Sequence, residues 1–423
     1  MRPAARLVRM AAAAVLLLFH PALLAQDFAV VGAKTWTMTS QKPVENATII
    51  VRRGKIVSIE NSGTVPPDLK VIAGESSVVT PGFFNAATQI GLIETGAIAA
   101  TDDRASDWDR LGAGFDVSRA LNGNSLLVEL ARADGVTRAF VYPSASKKMP
   151  FGGLAATVKM RNTVEILDRP AASLVAYLGD GVWKNASGSR AVEWQALRMA
   201  LEGGSQPSRT GAADKAEMKP DDWALSRVRA REIPLSIFTD RESDIREAIK
   251  LAKEFDIRIV IIGGAQAWRA AGDLAEAKMP VVVSPALNLP YNYDKLGARL
   301  DNAQLLARAG VEIAFGLVGG RISSNYNAGL ALREEAGIAV ANGLPYFDAL
   351  RAVTTAPRAI YGVTGGILTE GADADFVIWD GDPIEPSTLA LKVYSQGIEL
   401  PTSTRQDALA SRYLEHVDEK ERR

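Results

Sequence analysis

The sequence predicts an α/β protein in which a parallel sheet wrapped by helices carries a smaller sheet built from the two chain ends. Three observations predict it. At 423 residues the chain is too long for one small core and suits a large barrel with an accessory domain. Strand-like and helix-like patterns alternate through its middle. Short β-type runs, punctuated by turn residues, sit at both ends. Composition adds no exception, since 47% hydrophobic and 23% charged residues describe an ordinary globular protein.

Residues 1–25 stand apart. Arg2, Arg6 and Arg9 precede an apolar run from Ala11 to Phe19, and Pro21-Ala22-Leu23-Leu24-Ala25 ends before Gln26. That is the layout of a secretory signal peptide cleaved after Ala25, so the expected location is secreted or periplasmic. The apolar run is shorter than the roughly 20 residues of a bilayer span, and no membrane span is expected after cleavage. Removing three arginines and no acid turns the formal charge of -1 into -4, with 45 basic against 49 acidic residues. Nothing there favours nucleic acid or an anionic membrane. Cysteine is absent, which excludes disulfides, thiol catalysis and thiolate metal sites and leaves stability to the core.

Residues 26–80 read as the first part of the accessory sheet, with strand runs at Asp27 to Val31, Ala47 to Arg52, Lys55 to Glu60 and Leu69 to Ile72. Arg53-Gly54 is the turn of a hairpin. Residues 364–400 read as its second part, and residues 401–423 as a charged tail or helix. Between them, within residues 81–363, strands are predicted from residue 79 onward and at Val136 to Tyr142, Ala155 to Met160, Ser173 to Leu178, Ile233 to Thr239, Ile257 to Ile262, Pro280 to Ser284 and Val311 to Phe315. Helical spacing is clearest over Arg241 to Phe255, Ala265 to Ala277, Arg299 to Ala309 and Leu344 to Ile360. Residues 203–221, rich in Gly, Ser, Pro and Lys, read as a solvated loop or insertion.

Two stretches carry a family resemblance. Pro81-Gly82-Phe83-Phe84-Asn85-Ala86-Ala87-Thr88-Gln89 resembles the start of the amidohydrolase superfamily, imidazolonepropionase-like branch, where Pro-Gly and two hydrophobic residues lead into Asp-x-His-x-His on strand 1. Gly366 to Asp380, through Gly371, Ala374-Asp375 and Phe376-Val377-Ile378, resembles that family's C-terminal signature. The resemblance implies a TIM (β/α)8 barrel with a composite β-sandwich domain formed by both chain ends. It also implies hydrolysis of non-peptide C–N bonds by a bound divalent metal, Zn2+ or similar, that lowers the pKa of a water to about 7.

The positions that the resemblance assigns to metal ligands hold other residues. Strand 1 has Ala87 and Gln89 where the two histidines would stand; strand 5 has Phe238, followed by Asp240 and Arg241; strand 6 has Gly263 and Gly264; strand 8 has Val318 in place of the aspartate. Alanine, phenylalanine, glycine and valine offer no side-chain donor, and an amide oxygen is a poor zinc ligand. The chain holds two histidines: His20 belongs to the leader and His416 to the charged tail. No metal and no other cofactor is therefore expected.

Other groups at the mouth could carry chemistry. Asp240 is the candidate general acid or base, against its reading as a helix cap with Arg241 in a salt bridge. Arg321 beside Gly319-Gly320 could clamp a carboxylate, and Glu94, Asn325 and Tyr326 lie at strand ends too. Lys159 reads as an alternating sheet residue with its head in water. Asp373, Asp375, Asp380 and Asp382 lack the regular ligand alternation of a calcium loop and read as turn residues. The pocket, built from Asn85 and these former metal positions, is expected to bind a small molecule or to belong to a non-catalytic partner of an active paralogue, or to a homo-oligomer. The alternative is a divergent hydrolase of cyclic amides or dipeptides using carboxylates or a metal site not recognised in the sequence.

Overall fold

The structure is a computed structural model that describes residues 26–96, 98–108, 110–148, 150–179, 189–203, 218–318 and 325–421. The expected leader, Arg321 and the side chain of His416 lie outside the described residues.

The chain begins in the accessory sheet with β1 (Phe28–Thr35), β2 (Val44–Arg52), β3 (Lys55–Asn61), β4 (Lys70–Ala73) and β5 (Val78–Pro81). Arg52 pairs with Lys55, so the β2–β3 turn is Arg53-Gly54, and both residues have positive φ, the conformation that follows the twist of a tight hairpin. The barrel takes β6 (Phe83–Thr88), β7 (Val136–Val141), β8 (Phe151–Lys159), β9 (Leu167–Tyr177), β10 (Leu235–Thr239), β11 (Ile259–Gly263), β12 (Val281–Val283) and β13 (Ile313–Phe315), hydrogen-bonded in that order. Leu317 N–H donates to Ala87 O at 2.7 Å and brings the last strand end against the first, nearly closing the ring. The chain then returns to the accessory sheet as β14 (Phe376–Trp379), β15 (Ala390–Ser395) and β16 (Ile398–Leu400). β14 pairs antiparallel with β5, so the two chain ends form one eight-stranded sheet, with Phe28 stacked on Tyr394 at 4.7 Å in its core.

One strand departs from the parallel pattern. β8 runs antiparallel to both β7 and β9. The connections 142–150 and 160–166 are too short for the crossover of a dozen or more residues that a parallel neighbour needs, so strands two to four form a meander. Reversal carries Lys159 to the barrel end opposite the mouth, where its ammonium lies 3.2 Å from Asp168. Its side chain is mostly buried in that ion pair rather than extended into water.

The helices are α1 (Leu126–Ala133), α2 (Arg190–Gly203), α3 (Pro220–Arg229), α4 (Glu242–Phe255), α5 (Ala271–Glu276), α6 (Asn302–Arg308), α7 (Ala328–Ala341), α8 (Tyr346–Val353), α9 (Thr355–Tyr361) and the exposed α10 (Arg405–Glu421). Residues 220 and 221, expected in a loop, open α3 instead, because a proline at the first helical position forfeits no intrahelical bond. The helix expected over Leu344 to Ile360 is two helices meeting at Thr354. Pro357 lacks the N–H that would bond Val353 O and so cannot continue a helix through that point.

Strand residues divide by parity. Leu235, Ile237, Ile259 and Ile261 join the core under the helices, while Val260, Ile262, Val282 and Ala314 fill the barrel with Phe84 and Phe140. Tyr361 plugs the barrel from α9, its ring stacked on Phe140 at 3.8 Å and nearly parallel to it, its hydroxyl donating to Ala86 O at 3.0 Å. Beside it Arg358, 1% exposed, donates to Gly82 O and Thr354 O, tying α9 to the Pro-Gly turn that leads into β6.

Candidate functional site

At the C-terminal ends of the strands lies a cavity of 520 Å3 whose lining includes Gln89, Arg104, Tyr142, Tyr177, Phe238, Asp240, Ile262, Lys295 and Val318. This is the end of a barrel where connecting loops gather reactive groups. Its floor is aromatic. Phe238 stacks on Tyr177 at 4.6 Å and 13°, and meets Tyr142 at 4.8 Å. Both tyrosine hydroxyls are turned to backbone, Tyr177 to Pro143 O at 2.6 Å and Tyr142 to Leu317 O at 3.4 Å, so the rings offer carbon faces.

Gln89 is buried and held from both sides. Its amide nitrogen donates to Ser144 Oγ at 2.8 Å, and its oxygen accepts from Arg104 Nη1 at 2.9 Å. Arg104 in turn grips Asp102 through two hydrogen bonds of 2.8 and 2.6 Å, which hold the Asp102 carboxyl below its usual range. The sequence reading missed Arg104, which lies in the loop after β6.

Asp240 Oδ1 accepts the Ala265 N–H at 3.0 Å, and Oδ2 lies 3.3 Å from Lys295 Nζ. Burial pushes the Asp240 carboxyl up, and Lys295 pulls it back in part. Burial works to lower the Lys295 ammonium, but Asp240 and Tyr291 outweigh it and leave the group above its ordinary value. Lys295, 7% exposed, was also missed. The one sequence signal was an aromatic and charged run, Tyr291-Asn292-Tyr293-Asp294-Lys295, in the connection after strand seven.

The other expected residues divide. Ala87, Phe238, Gln89, Asp240 and Val318 all come to the mouth. Asn85 does not: buried, it bonds Ala87 N and Ala328 O, toward α7. Gly263 and Gly264 stand at the end of β11 with φ of +100° and +61°, and a Cβ on Gly263 would lie 2.8 Å from Asp240 Oδ1. Arg241 occupies the N-terminal cap of α4 without a side-chain cap bond. Arg241, an exposed residue, lines an adjoining cavity of 640 Å3 that shares Gly179 and Asp294 with the first. The salt bridge expected of Arg241 is not made among the described residues.

Asn325 accepts from Thr88 Oγ1 and Gln89 N, and Tyr326 donates to Glu94 O at 2.7 Å, so all these groups shape the turn after β6. The four C-terminal aspartates are turn and strand-edge groups: Asp373 pairs with Lys55, Asp375 accepts Gln396 N, Asp380 accepts Leu389 N and Asp382 accepts the Tyr346 hydroxyl.

Among the described residues, the side chains at the mouth do not fit a divalent ion. Asp240 and Asp294 are its carboxylates, each already paired with a cation, and the only other side-chain oxygen at a position assigned to a ligand, Gln89 Oε1, is occupied by Arg104.

Residues 269–402 match the model of the amidohydrolase family. Amidohydrolase tasK of Hapsidospora irregularis is 23% identical over 398 residues, covering 82% of this chain and 39% of its own length, so this chain spans well under half of that relative. Among solved structures, an amidohydrolase from Thermotoga maritima MSB8 superposes with a TM-score of 0.77 at 24% identity, covering 88% of this chain and 99% of the other. Molinate hydrolase superposes with a TM-score of 0.54 at 16% identity, covering 90% of this chain and 95% of its own. The fold is thus a barrel with an accessory sheet made from both chain ends, shared with these structures. Over residues 269–402 the chain is similar to the amidohydrolase family.

Proposed function

We propose that this protein is an exported, small-molecule-binding member of the family whose barrel mouth does not carry out metal-assisted hydrolysis. A single observation carries the reading. At Ala87, Phe238, Gly263 and Val318 no side-chain donor is offered, and at Gln89 the amide oxygen is held by Arg104. Without a Lewis acid the family's route to an activated water is missing. The cavity remains, lined by stacked rings and a buried ion pair, which is the mixture of apolar wall and few polar groups typical of ligand sites. Work beside an active paralogue, or as a homo-oligomer, belongs to the same proposal.

Metal analysis of the purified protein, run with an activity panel of lactams, hydantoins and dipeptides, tests it. The expected outcome is sub-stoichiometric zinc, iron and manganese and no turnover; near-stoichiometric metal would sink the reading. A second reading, a metal-free hydrolase of C–N bonds, is favoured by the position of Asp240 in the cavity with its carboxyl raised by burial. It requires turnover that Asp240→Ala abolishes.

A further inference from the structure

At the barrel end opposite the mouth lies a further cavity, of 430 Å3, a size common to small-molecule sites. It opens where the chain enters four consecutive strands, just before β10, β11, β12 and β13, and α9 completes its wall. Val260, Met279 and Ile360 give that wall an apolar part, and its charged groups are Arg231, Arg258, Lys278 and Glu312. Two of the four are matched within the fold. Glu312 is paired with Arg351 at 3.1 Å, and Arg231 donates to both the carboxylate and the backbone oxygen of Asp256. Arg258 and Lys278 make no ion pair among the described residues, and Arg258 gives one N–H to Glu232 O at 3.3 Å. Partial burial, then the like charges of Arg231 and Arg169, push the Arg258 guanidinium below its ordinary value, and no carboxylate opposes them.

The backbone points to the same place. Arg231 and Lys278 each stand one residue beyond the C-terminal cap of a helix, α3 and α5, with φ of +59° and +49°. Glycine takes that left-handed turn without strain, and an arginine or lysine does not. Helix C-termini attract cations, but a cation in the last turn, on relaxed backbone, serves that purpose equally. Arg258 lies outside any helix, in the lead into β11. Backbone strain persists where a side chain is needed in its place, and here both strained residues line one cavity. The cavity thus holds two unmatched positive charges beside an apolar wall. A carboxylate would neutralise one of them. A phosphate monoester, with about 1.5 to 2 negative charges near neutral pH and three acceptor oxygens, matches both, and it suits an arginine fork beside a lysine point charge.

We propose that this cavity binds a small phosphate monoester, with the phosphate held by Arg258 and Lys278 and the apolar group of the ester against Val260, Met279 and Ile360. The site lies at the barrel end away from the mouth, so the inference stands or falls independently of what the mouth binds.

Isothermal titration calorimetry of the purified protein with phenyl phosphate tests it, beside inorganic phosphate, which lacks the apolar group, and benzoate, which carries a single charge. Phenyl phosphate is expected to bind, with both controls at least roughly tenfold weaker. Arg258→Gln and Lys278→Gly each lower its affinity roughly tenfold to a hundredfold, the range for a charge-assisted hydrogen bond. Lys278→Gly also relieves the left-handed backbone, so its thermal midpoint is expected to hold or rise, which separates lost binding from lost folding. If Arg258→Gln does not fold, Lys278→Gly decides alone. Absence of binding, or benzoate binding as tightly as phenyl phosphate, overturns the proposal. Inorganic phosphate binding as tightly would make free phosphate the occupant and overturn the monoester. A Lys278→Gly protein with unchanged affinity and a lower midpoint would mark the lysine as a helix-end cation and overturn the site itself.

Discussion

Glu335 supplies the sharpest test of how this barrel is held together. It stands on α7 with 3% exposure, accepting hydrogen bonds from the Ser284 hydroxyl and, at 2.7 Å, from the Ala286 N–H just beyond β12. Burial lifts its carboxyl from 4.5 to about 7, against the pull of those two donors. Between those pH values the native state keeps a proton that the unfolded chain has released. The unfolded state then binds fewer protons, and stability falls as pH rises. The contribution is fully present below the unfolded value and lost as pH climbs through the folded one. At about 1.4 kcal/mol per unit, the loss amounts to about 3 kcal/mol. Glu335→Gln is the clean perturbation, because a carboxamide imitates the protonated acid: its oxygen accepts from Ala286 N–H and its nitrogen donates to Ser284. Urea unfolding followed by circular dichroism, from about pH 5 to about pH 8, compares the two proteins. Subtracting the variant removes the contributions of Asp134, Glu193 and Asp240, which burial also raises. The wild type is expected to lose about 3 kcal/mol relative to Glu335→Gln across the range. Parallel curves would refute the reasoning, since they would mean that the Glu335 carboxyl titrates alike in both states.

Two further substitutions probe the frame of the mouth. Gly263→Ala places a Cβ at φ +100° and 2.8 Å from Asp240 Oδ1, so it is expected to cost about 1–2 kcal/mol and lower the melting temperature, read by thermal circular dichroism. Arg358→Ala removes donors to Gly82 O, Thr354 O and Thr364 O from a fully buried site, and a loss of about 3 kcal/mol or more is expected in urea unfolding. Burial brings the Arg358 guanidinium down to about 10, so above that pH the unfolded chain binds more protons than the folded protein, wild-type stability rises relative to Arg358→Ala, and the same experiment at alkaline pH should show a larger difference. The wild-type protein gives up part of that arginine's charge there.

The terminal strands and the order of barrel strands were legible because they rest on local signals, such as the Arg53-Gly54 turn and the buried runs of Ile and Val. Strand three was legible in position and illegible in direction. Its alternation reads the same either way, and the short links on both sides were the available signal. At the site, Asp240, Phe238 and Val318 could be placed because they follow strand ends in the chain. Arg104 and Lys295 could not, since loops bring them in and nothing in a one-dimensional pattern marks where a loop returns. The double helix around Thr354 was written at Pro357, a residue that periodicity passes over because it does not disturb the apolar spacing.

A site that had merely lost its ligands would be left with unpaired polar groups and voids where imidazoles had stood. At Gln89 and Phe238 the side chains instead have partners. Gln89 makes hydrogen bonds to Ser144 and Arg104, and that arginine is fixed by Asp102, so the amide is a built part of the wall. Phe238 is packed against two aromatic rings, and the two glycines after β11 adopt backbone angles that a histidine would resist, one of them leaving room for Asp240. Gln89, Phe238 and Gly263 thus each have neighbours that a histidine at the same place would disturb. An imidazole at Gly263 would drive Asp240 from Lys295, and one at Phe238 would break the stack on Tyr177. These contacts of Gln89, Phe238 and Gly263 support the proposed ring-lined cleft.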